Sequence, residues 1–316
     1  MVEGAPGRVV VAVDGGGTKT DVAIASLDGT VLGEATGPAS NWELIGLEAM
    51  TTALATTIES ALGAAACARS SVVASAFCMA GFDWPSDHER IDPELARLGL
   101  SGARVLANDA MAALRAGTSA AAGVVSVAGT GGSTAGRNRH GATFRTFAIS
   151  WGEASGASDL VRAAAHALAR QHHGQTGPTS LTPRLLSAMG IGSVPELFER
   201  LSRRGDARLG PDIAPLVLAA AAEQDAIAME IVRRVASRHG DDVVGVARNL
   251  RMLDDAFDVV RAGGVHLAGC TTFDDAFASV IASAAPRARI VTLDQAPVRG
   301  AIQIALELAA AVIATR

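Results

Sequence analysis

The sequence predicts an α/β fold with a duplicated core, and three observations carry that prediction. Strand-like runs alternate with helical periods along most of the chain. A strand, glycine-turn, strand pattern occurs twice, around Asp14-Gly15-Gly16-Gly17-Thr18 and around Gly129-Thr130-Gly131-Gly132-Ser133, about 114 residues apart. The length of 316 residues suits two domains of about 150 residues better than a single core.

Taken in order, Arg8 to Asp14 is a β-branched run ending in glycines, and Thr20 to Ser26 alternates apolar and small residues. Asp28-Gly29 then marks a two-residue hairpin, and Thr30 to Ala35 returns, so three antiparallel strands are expected. Leu47, Met50, Leu54, Ile58 and Leu62 have helical spacing within Leu44 to Gly63. Ser71 to Cys78 reads as a buried strand, Pro85 to Leu98 as a helix, Arg104 to Ala107 as a short strand and Ala110 to Ala116 as a short helix. Near residue 117 the pattern restarts. Gly123 to Ala128 runs into the second glycine turn, followed by Thr134 to Asn138 and Thr143 to Ile149. Residues 154–256 read as mostly helical, with Asp254, Asp255 and Asp258 on an exposed helix face. Val265 to Ala268 and Arg289 to Leu293 close as strands, and Val298 to Ile313 is a last helix. The domains expected are 1–117 and 118–297.

Composition narrows the function. Hydrophobic residues are 49% and charged residues 19%, which excludes wholesale disorder. A net charge of −5 provides no basic footprint for nucleic acid or an anionic membrane. No apolar run reaches the roughly 18 residues of a membrane span, Gln303 and Glu307 interrupting the alanine-rich C-terminus. Cys67, Cys78 and Cys270 lack metal-ligand spacing and read as reduced thiols of a cytoplasmic protein.

Four constellations bear on chemistry. Gly15, Gly16 and Gly17 allow a turn to present backbone N–H groups with no side chain in the way, as phosphate oxygens require. Asp14 at the strand end is suited to a hydrated Mg²⁺, Thr18 offers a hydroxyl and Lys19 a point charge. The spacing is neither a Walker A loop nor a dinucleotide fingerprint. Gly129, Thr130, Gly131 and Gly132 repeat the arrangement, so two hairpins facing one cleft could clamp a nucleotide tail. Asn108-Asp109-Ala110 joins a strand end to a helix start; Asp109 is there either a helix cap or a carboxylate for deprotonating an acceptor hydroxyl. Trp42, Trp84 and Trp151 lie in loops beside these motifs, as a stacking surface or as plain core. His172-His173 reads as a solvated helix end.

DGGGTKTD, the N-W-x-L-I-G segment at Asn41 to Gly46, NDA at Asn108, GTGGS at Gly129 and LAG at Leu267 occur in the order found in N-acetylglucosamine kinases. The chain thus resembles the BadF/BadG/BcrA/BcrD-type ATPases of the actin, sugar kinase and heat-shock ATPase superfamily. The resemblance spans nearly the whole chain, including Pro297-Val298-Arg299-Gly300-Ala301. It implies two ribonuclease-H-like domains with a hinged cleft, the segment 298–316 returning to the first domain. It implies ATP and Mg²⁺, the former on the two glycine hairpins with Gly269 and Cys270 against adenosine, the latter at Asp14. Asp109 would be the general base toward a sugar hydroxyl, with Asn41, Trp42, Gly81, Asn108, Trp151 and Glu153 around an amino sugar. The implied reaction is transfer of the ATP γ-phosphate to the 6-hydroxyl of N-acetylglucosamine or glucosamine by a homodimeric enzyme. An ATPase activator and a non-catalytic sensor are the alternatives within the family. Two departures stand out: Trp151-Gly152-Glu153-Ala154-Ser155-Gly156 replaces the usual GDEGSG-like stretch, and Cys270 replaces a second glycine at the adenosine loop.

Overall fold

The computed structural model describes residues 7–149, 152–203 and 209–315. The chain forms two compact units, the first made of the residues up to Ser119 and those from Leu293, the second of Ala120–Thr292.

In the first unit, β1 (Val9–Gly15), β2 (Lys19–Ser26) and β3 (Val31–Pro38) run antiparallel, while β4 (Val72–Met79) and β5 (Ala103–Asn108) add in parallel beside β1. The strand order is β3-β2-β1-β4-β5. Successive residues of a strand face opposite sides, and β1 divides its side chains accordingly. Val9, Val11 and Val13 meet Met50, Leu54, Ile58, Ile91 and Leu95 in one core cluster. Val10 and Ala12 join Ala23, Ala25, Ala74, Ala76 and Cys78 in a second, covered by a C-terminal helix through Val298, Ala301, Ile302, Ala305 and Ala309.

The helices of the first cluster are α1 (Trp42–Ile45), α2 (Leu47–Ala64) and α3 (Pro85–Arg97), and α4 (Asp109–Gly117) follows β5. The helix expected from Leu44 is two, because Gly46 takes a left-handed φ of 82° between α1 and α2. The small residues on the second face let the C-terminal helix come close. A Cβ at Gly300 would lie 1.9 Å from the Ala112 carbonyl oxygen, so only glycine fits there.

The second unit repeats the plan. β6 (Gly123–Ala128), β7 (Gly132–Arg137) and β8 (Thr143–Arg145) are antiparallel, and β9 (Phe257–Ala262) and β10 (Ala288–Thr292) extend the sheet in parallel. The order β10-β9-β6-β7-β8 reproduces that of the first sheet, strand for strand. Between β8 and β9 lie α5 (Ala157–His172), α6 (Leu181–Ala188), α7 (Val194–Ser202), α8 (Ala214–Ala222) and α9 (Ala226–Asn249); α10 (Thr271–Ala284) precedes β10 and α11 (Pro297–Ala314) is the C-terminal helix. By length and composition α11 could cross a membrane, but its buried face belongs to the second core cluster of the first unit.

Three expectations are corrected. Asp258 sits in β9, buried and paired with Arg289 through two hydrogen bonds at 2.9 and 3.0 Å, and is not on an exposed helix. Val265 to Ala268 is no strand: His266–Ala268 is a single 3₁₀ turn. The edge strand β8 stops at Arg145. His172 does end a helix, with both imidazole-bearing residues exposed.

Candidate functional site

The first glycine turn joins β1 to β2 and closes through Gly16 N–H to the Lys19 carbonyl at 2.9 Å. Its carbonyls point inward: Gly15 accepts from Ala80 N–H at 2.7 Å and Gly16 from Ser40 N–H at 3.0 Å. In a trans peptide the N–H opposes the carbonyl, so the Gly17 N–H faces away from Ser40. Among the described residues no partner engages the N–H of Gly17 or Thr18. None of the three glycines has a left-handed φ. Their need is space: a Cβ at Gly15 would lie 2.6 Å from Met79 Sδ and from Ser40 Oγ.

The second turn is built by the same logic from different contacts. Gly129 N–H donates to the Gly131 carbonyl at 3.0 Å, while the Gly129 and Thr130 carbonyls accept from Ala157 and Ser158 N–H, the first turn of α5, at 2.8 and 3.1 Å. The N–H groups of Thr130 and Gly131 therefore face away from α5. A Cβ on Gly131 would meet nothing within 4 Å. Gly132 and Gly156 are glycines for packing, since a Cβ on either would lie 2.3 Å from the Ala154 carbonyl or 2.2 Å from that of Gly129. Each turn thus leaves two adjacent N–H groups available to an anion.

Asp14 lies near the end of β1 and Asp109 directly follows the end of β5, two parallel strands on either side of β4. Burial, then the charges of Asp109 and Asp21, push the Asp14 carboxyl from 3.8 up to about 7, against a smaller opposing effect of Lys19. Lys19 is exposed and already bonded to Asp21 at 2.6 Å, so it neutralises Asp14 poorly. The sign follows from the raised value: the folded protein holds this proton more tightly than the unfolded chain. The associated stability is complete below pH 4 and is lost as the pH rises to about 7. Asp14→Asn should remove that slope and stabilise the metal-free protein at pH 8 by on the order of 4 kcal/mol, seen as a higher melting temperature; a melting curve insensitive to the substitution from pH 5 to 8 would show that Asp14 is not strained.

The cap of α4 is Asn108, not Asp109. Asn108 Oδ1 accepts from Ala110 N–H at 3.1 Å, and its Nδ2 donates to the Phe82 carbonyl and Asp83 Oδ1 at 3.2 and 3.0 Å. Asp109 stands at the first helical position, half-buried. Asn41 and Trp42 come together with Gly81, whose next residues, Phe82 and Asp83, bond to Asn108. Trp42 Nε1 donates to the Gly81 carbonyl at 2.6 Å, and a Cβ on Gly81 would lie 2.5 Å from Asn41 Oδ1. Arg90 covers the Trp42 ring, 5.6 Å from its centroid, so that ring is held in place by its neighbours. Trp84 is 40% exposed, and Asp87 accepts from the Asp83 and Trp84 N–H groups, fixing this loop. Asp83, in the Ala80-Gly81-Phe82-Asp83-Trp84 loop, joins this group through its bond from Asn108 Nδ2, a contact between segments distant in sequence.

In the second unit a cavity of about 580 Å³ opens beside the second turn, walled by Gly129, Thr130, Leu218, Val265, Gly269 and Cys270 among others. Its remaining lining is alanine, proline and glycine, with Asp212 the one carboxylate among the described residues. Gly269 needs its left-handed φ of 68° to turn the wall, and Cys270 lies buried with Sγ 4.0 Å from the Leu218 carbonyl. The α8 wall escaped sequence reasoning because nothing local links Pro211–Ala222 to residues 129 and 269. Glu153 is buried, and its Oε1 accepts from Ile149 N–H at 2.6 Å. Asp242, Asp159 and Arg238 hold the rest of that loop at Ala154 N–H, Ser155 N–H and the Glu153 carbonyl. Trp151 lies outside the described residues. Among the described residues, no three acidic, histidine or cysteine side chains converge as a ready metal cage.

Residues 11–306 match the BadF/BadG/BcrA/BcrD ATPase family, and the chain belongs to it. It is 28% identical, over 94% of its length and 98% of the relative's, to an N-acetylmuramic acid/N-acetylglucosamine kinase of Clostridium acetobutylicum. Its fold is that of a Chromobacterium violaceum protein assigned as an N-acetylglucosamine kinase (24% identity, 94% of this chain and 99% of the other, TM-score 0.67). A ROK family glucokinase from Streptomyces griseus, solved with glucose and AMPPNP, shares it too (18% identity, 94% and 99% coverage, TM-score 0.58).

Proposed function

We propose that the protein is an ATP-dependent sugar kinase that transfers the γ-phosphoryl group to the 6-hydroxyl of an amino sugar such as N-acetylglucosamine or glucosamine. The observation that carries this reading is an anion-ready glycine turn beside two carboxylates, Asp14 and Asp109, that sense each other's charge within one unit. Family membership and the named relative agree with it.

The division of labour follows the two units. The cavity beside Gly129–Gly132 takes the nucleoside, its apolar walls suiting a purine and Asp212 suiting a ribose hydroxyl. The paired N–H groups of each turn bind phosphate oxygens through backbone dipoles that are already aligned, so they stabilise developing charge without reorganising. Asn41, Trp42, Gly81 and Asn108 surround the acceptor sugar, and Asp109 accepts the proton of its attacking hydroxyl. Asp14 suits Mg²⁺: it is a buried carboxylate opposed by two others and poorly balanced by Lys19, and a hydrated dication bound through one carboxylate relieves that excess. When bound, the metal supplies charge neutralisation on the phosphates.

The test is ADP release in a coupled assay over a panel of hexoses and amino sugars. ADP release should depend on N-acetylglucosamine or glucosamine, and 6-deoxy-N-acetylglucosamine should support none. ADP release indifferent to every sugar would overturn the kinase reading, and turnover of the 6-deoxy sugar would overturn the position of transfer.

A further inference from the structure

Three polar side chains form a hydrogen-bonded chain inside the second unit, away from solvent. Ser126 on β6, His239 on α9 and His266 in the 3₁₀ turn are at most 1% exposed. Ser126 Oγ lies 3.0 Å from His266 Nε2 and 3.3 Å from His239 Nδ1. Burial lowers His239 to about 4 and His266 well below its ordinary value, so both rings are neutral at pH 7. One hydroxyl donates to one ring and accepts from the other, which satisfies both inner bonds in either direction. The outer nitrogens, His239 Nε2 and His266 Nδ1, have no hydrogen-bond partner among the described residues. Around them stand Phe273 and Phe277, their rings 5.2 and 4.7 Å from that of His266.

Apolar side chains of similar size would fill this volume without two imidazole nitrogens left unpaired at a desolvation cost. What they would lose is a directional tie between β6 and the turn. That tie lies between two functional segments. Three residues after Ser126 the strand becomes the glycine turn at Gly129, and three residues after His266 the chain reaches Gly269 and Cys270 in the cavity wall. The backbone supports the same seat: Val265 N–H donates to the Ala128 carbonyl at 2.9 Å, and a Cβ on Gly263 would lie 2.5 Å from that carbonyl.

We infer that Ser126 and His266 are positioning residues for the nucleotide, their hydrogen bond locking the base-side wall of the cavity to the strand that carries the phosphate-binding turn. The inference rests on the cavity being the nucleoside's place, as proposed above. Losing one buried hydrogen bond of this kind should weaken nucleotide binding about tenfold.

Binding of AMPPNP by calorimetry, together with the KM for ATP, the KM for sugar and kcat, tests it in four variants. Ser126→Ala and His266→Leu should raise the nucleotide Kd and the KM for ATP about tenfold, leaving the KM for sugar and kcat at saturating ATP near wild type. His266→Gln keeps a polar group near Nε2 and should restore both constants. Leu185→Ala, in the same core but on α6, which supplies no residue to the cavity wall, lowers thermal stability and should leave nucleotide affinity unchanged. Should Leu185→Ala weaken AMPPNP as much as Ser126→Ala does, loss of stability alone explains the effect and the inference falls. It also falls if wild type binds AMPPNP and Ser126→Ala and His266→Leu bind it equally well. Wild-type protein that binds no nucleotide removes the kinase reading itself, and this inference with it.

Discussion

Asp109→Asn is expected to lower turnover about 10² to 10⁴-fold, the usual worth of a positioned general base. The substitution is close to isosteric and removes only the proton acceptor. Its cleanness comes from Asn108, which caps α4 through Ala110 N–H and ties the helix start to Phe82 and Asp83. No cap is lost when Asp109 changes, so the melting temperature should stay near that of the parent and AMPPNP affinity should hold. Removing the charge of Asp109 should also let the Asp14 carboxyl fall from about 7 toward its ordinary range, because Asp109 is the second cause of its rise. Near-normal phosphorylation by the asparagine variant would show that the base lies elsewhere.

Gly131→Val should reduce nucleotide affinity at least about 100-fold, the loss of two charge-assisted hydrogen bonds. Most glycines of the two turns cannot serve this test. Gly15 is confined by Met79 and Ser40, Gly132 by Ala154, and a side chain at either would disturb the fold. Gly131 alone combines open space around its Cβ position with a φ that ordinary residues adopt. A valine there keeps the turn and screens the N–H groups of Thr130 and Gly131 from a phosphate. Calorimetry with AMPPNP reads the effect, and circular dichroism checks that the second unit is intact. Unchanged affinity would show that phosphate is not held by this turn.

The architecture was legible in the sequence because its signals are local. Strand runs, Asp28-Gly29 and the repeated glycine turns each act within a few residues, and the repeat exposed the duplication that the two strand orders display. What was misread had competing local signals. Asp254, Asp255 and Asp258 look like a solvated helix face, which hid the β-branched run of β9; only the pairing of Asp258 with Arg289 shows how that acid is accommodated. Gly46 interrupts an otherwise even helical period. The glycines were read as leaving backbone N–H groups unscreened; the crowding of Gly15 by Met79 and Ser40 and of Gly132 by Ala154 is a second demand that no local pattern shows. The α8 wall of the cavity and the seat of Asp83 on Asn108 depend on contacts between distant segments, and no pattern in the chain announces them.

The first unit is closed by the last helix of the chain, and this imposes an order on its birth. While residues up to Ser119 emerge from the ribosome, Ala12, Ala23, Ala25, Ala74, Ala76 and Cys78 line a sheet face with nothing to cover it. Their partner, α11, is translated only after the whole second unit. The second unit, continuous in sequence, has all its strands before Leu293 and can mature first. Until α11 arrives, α4 lacks the neighbour against which Gly300 seats Ala112. Synthesis of α11 is therefore the event that covers this sheet face, so the first unit completes its second core cluster only after the segment of the second unit has been made.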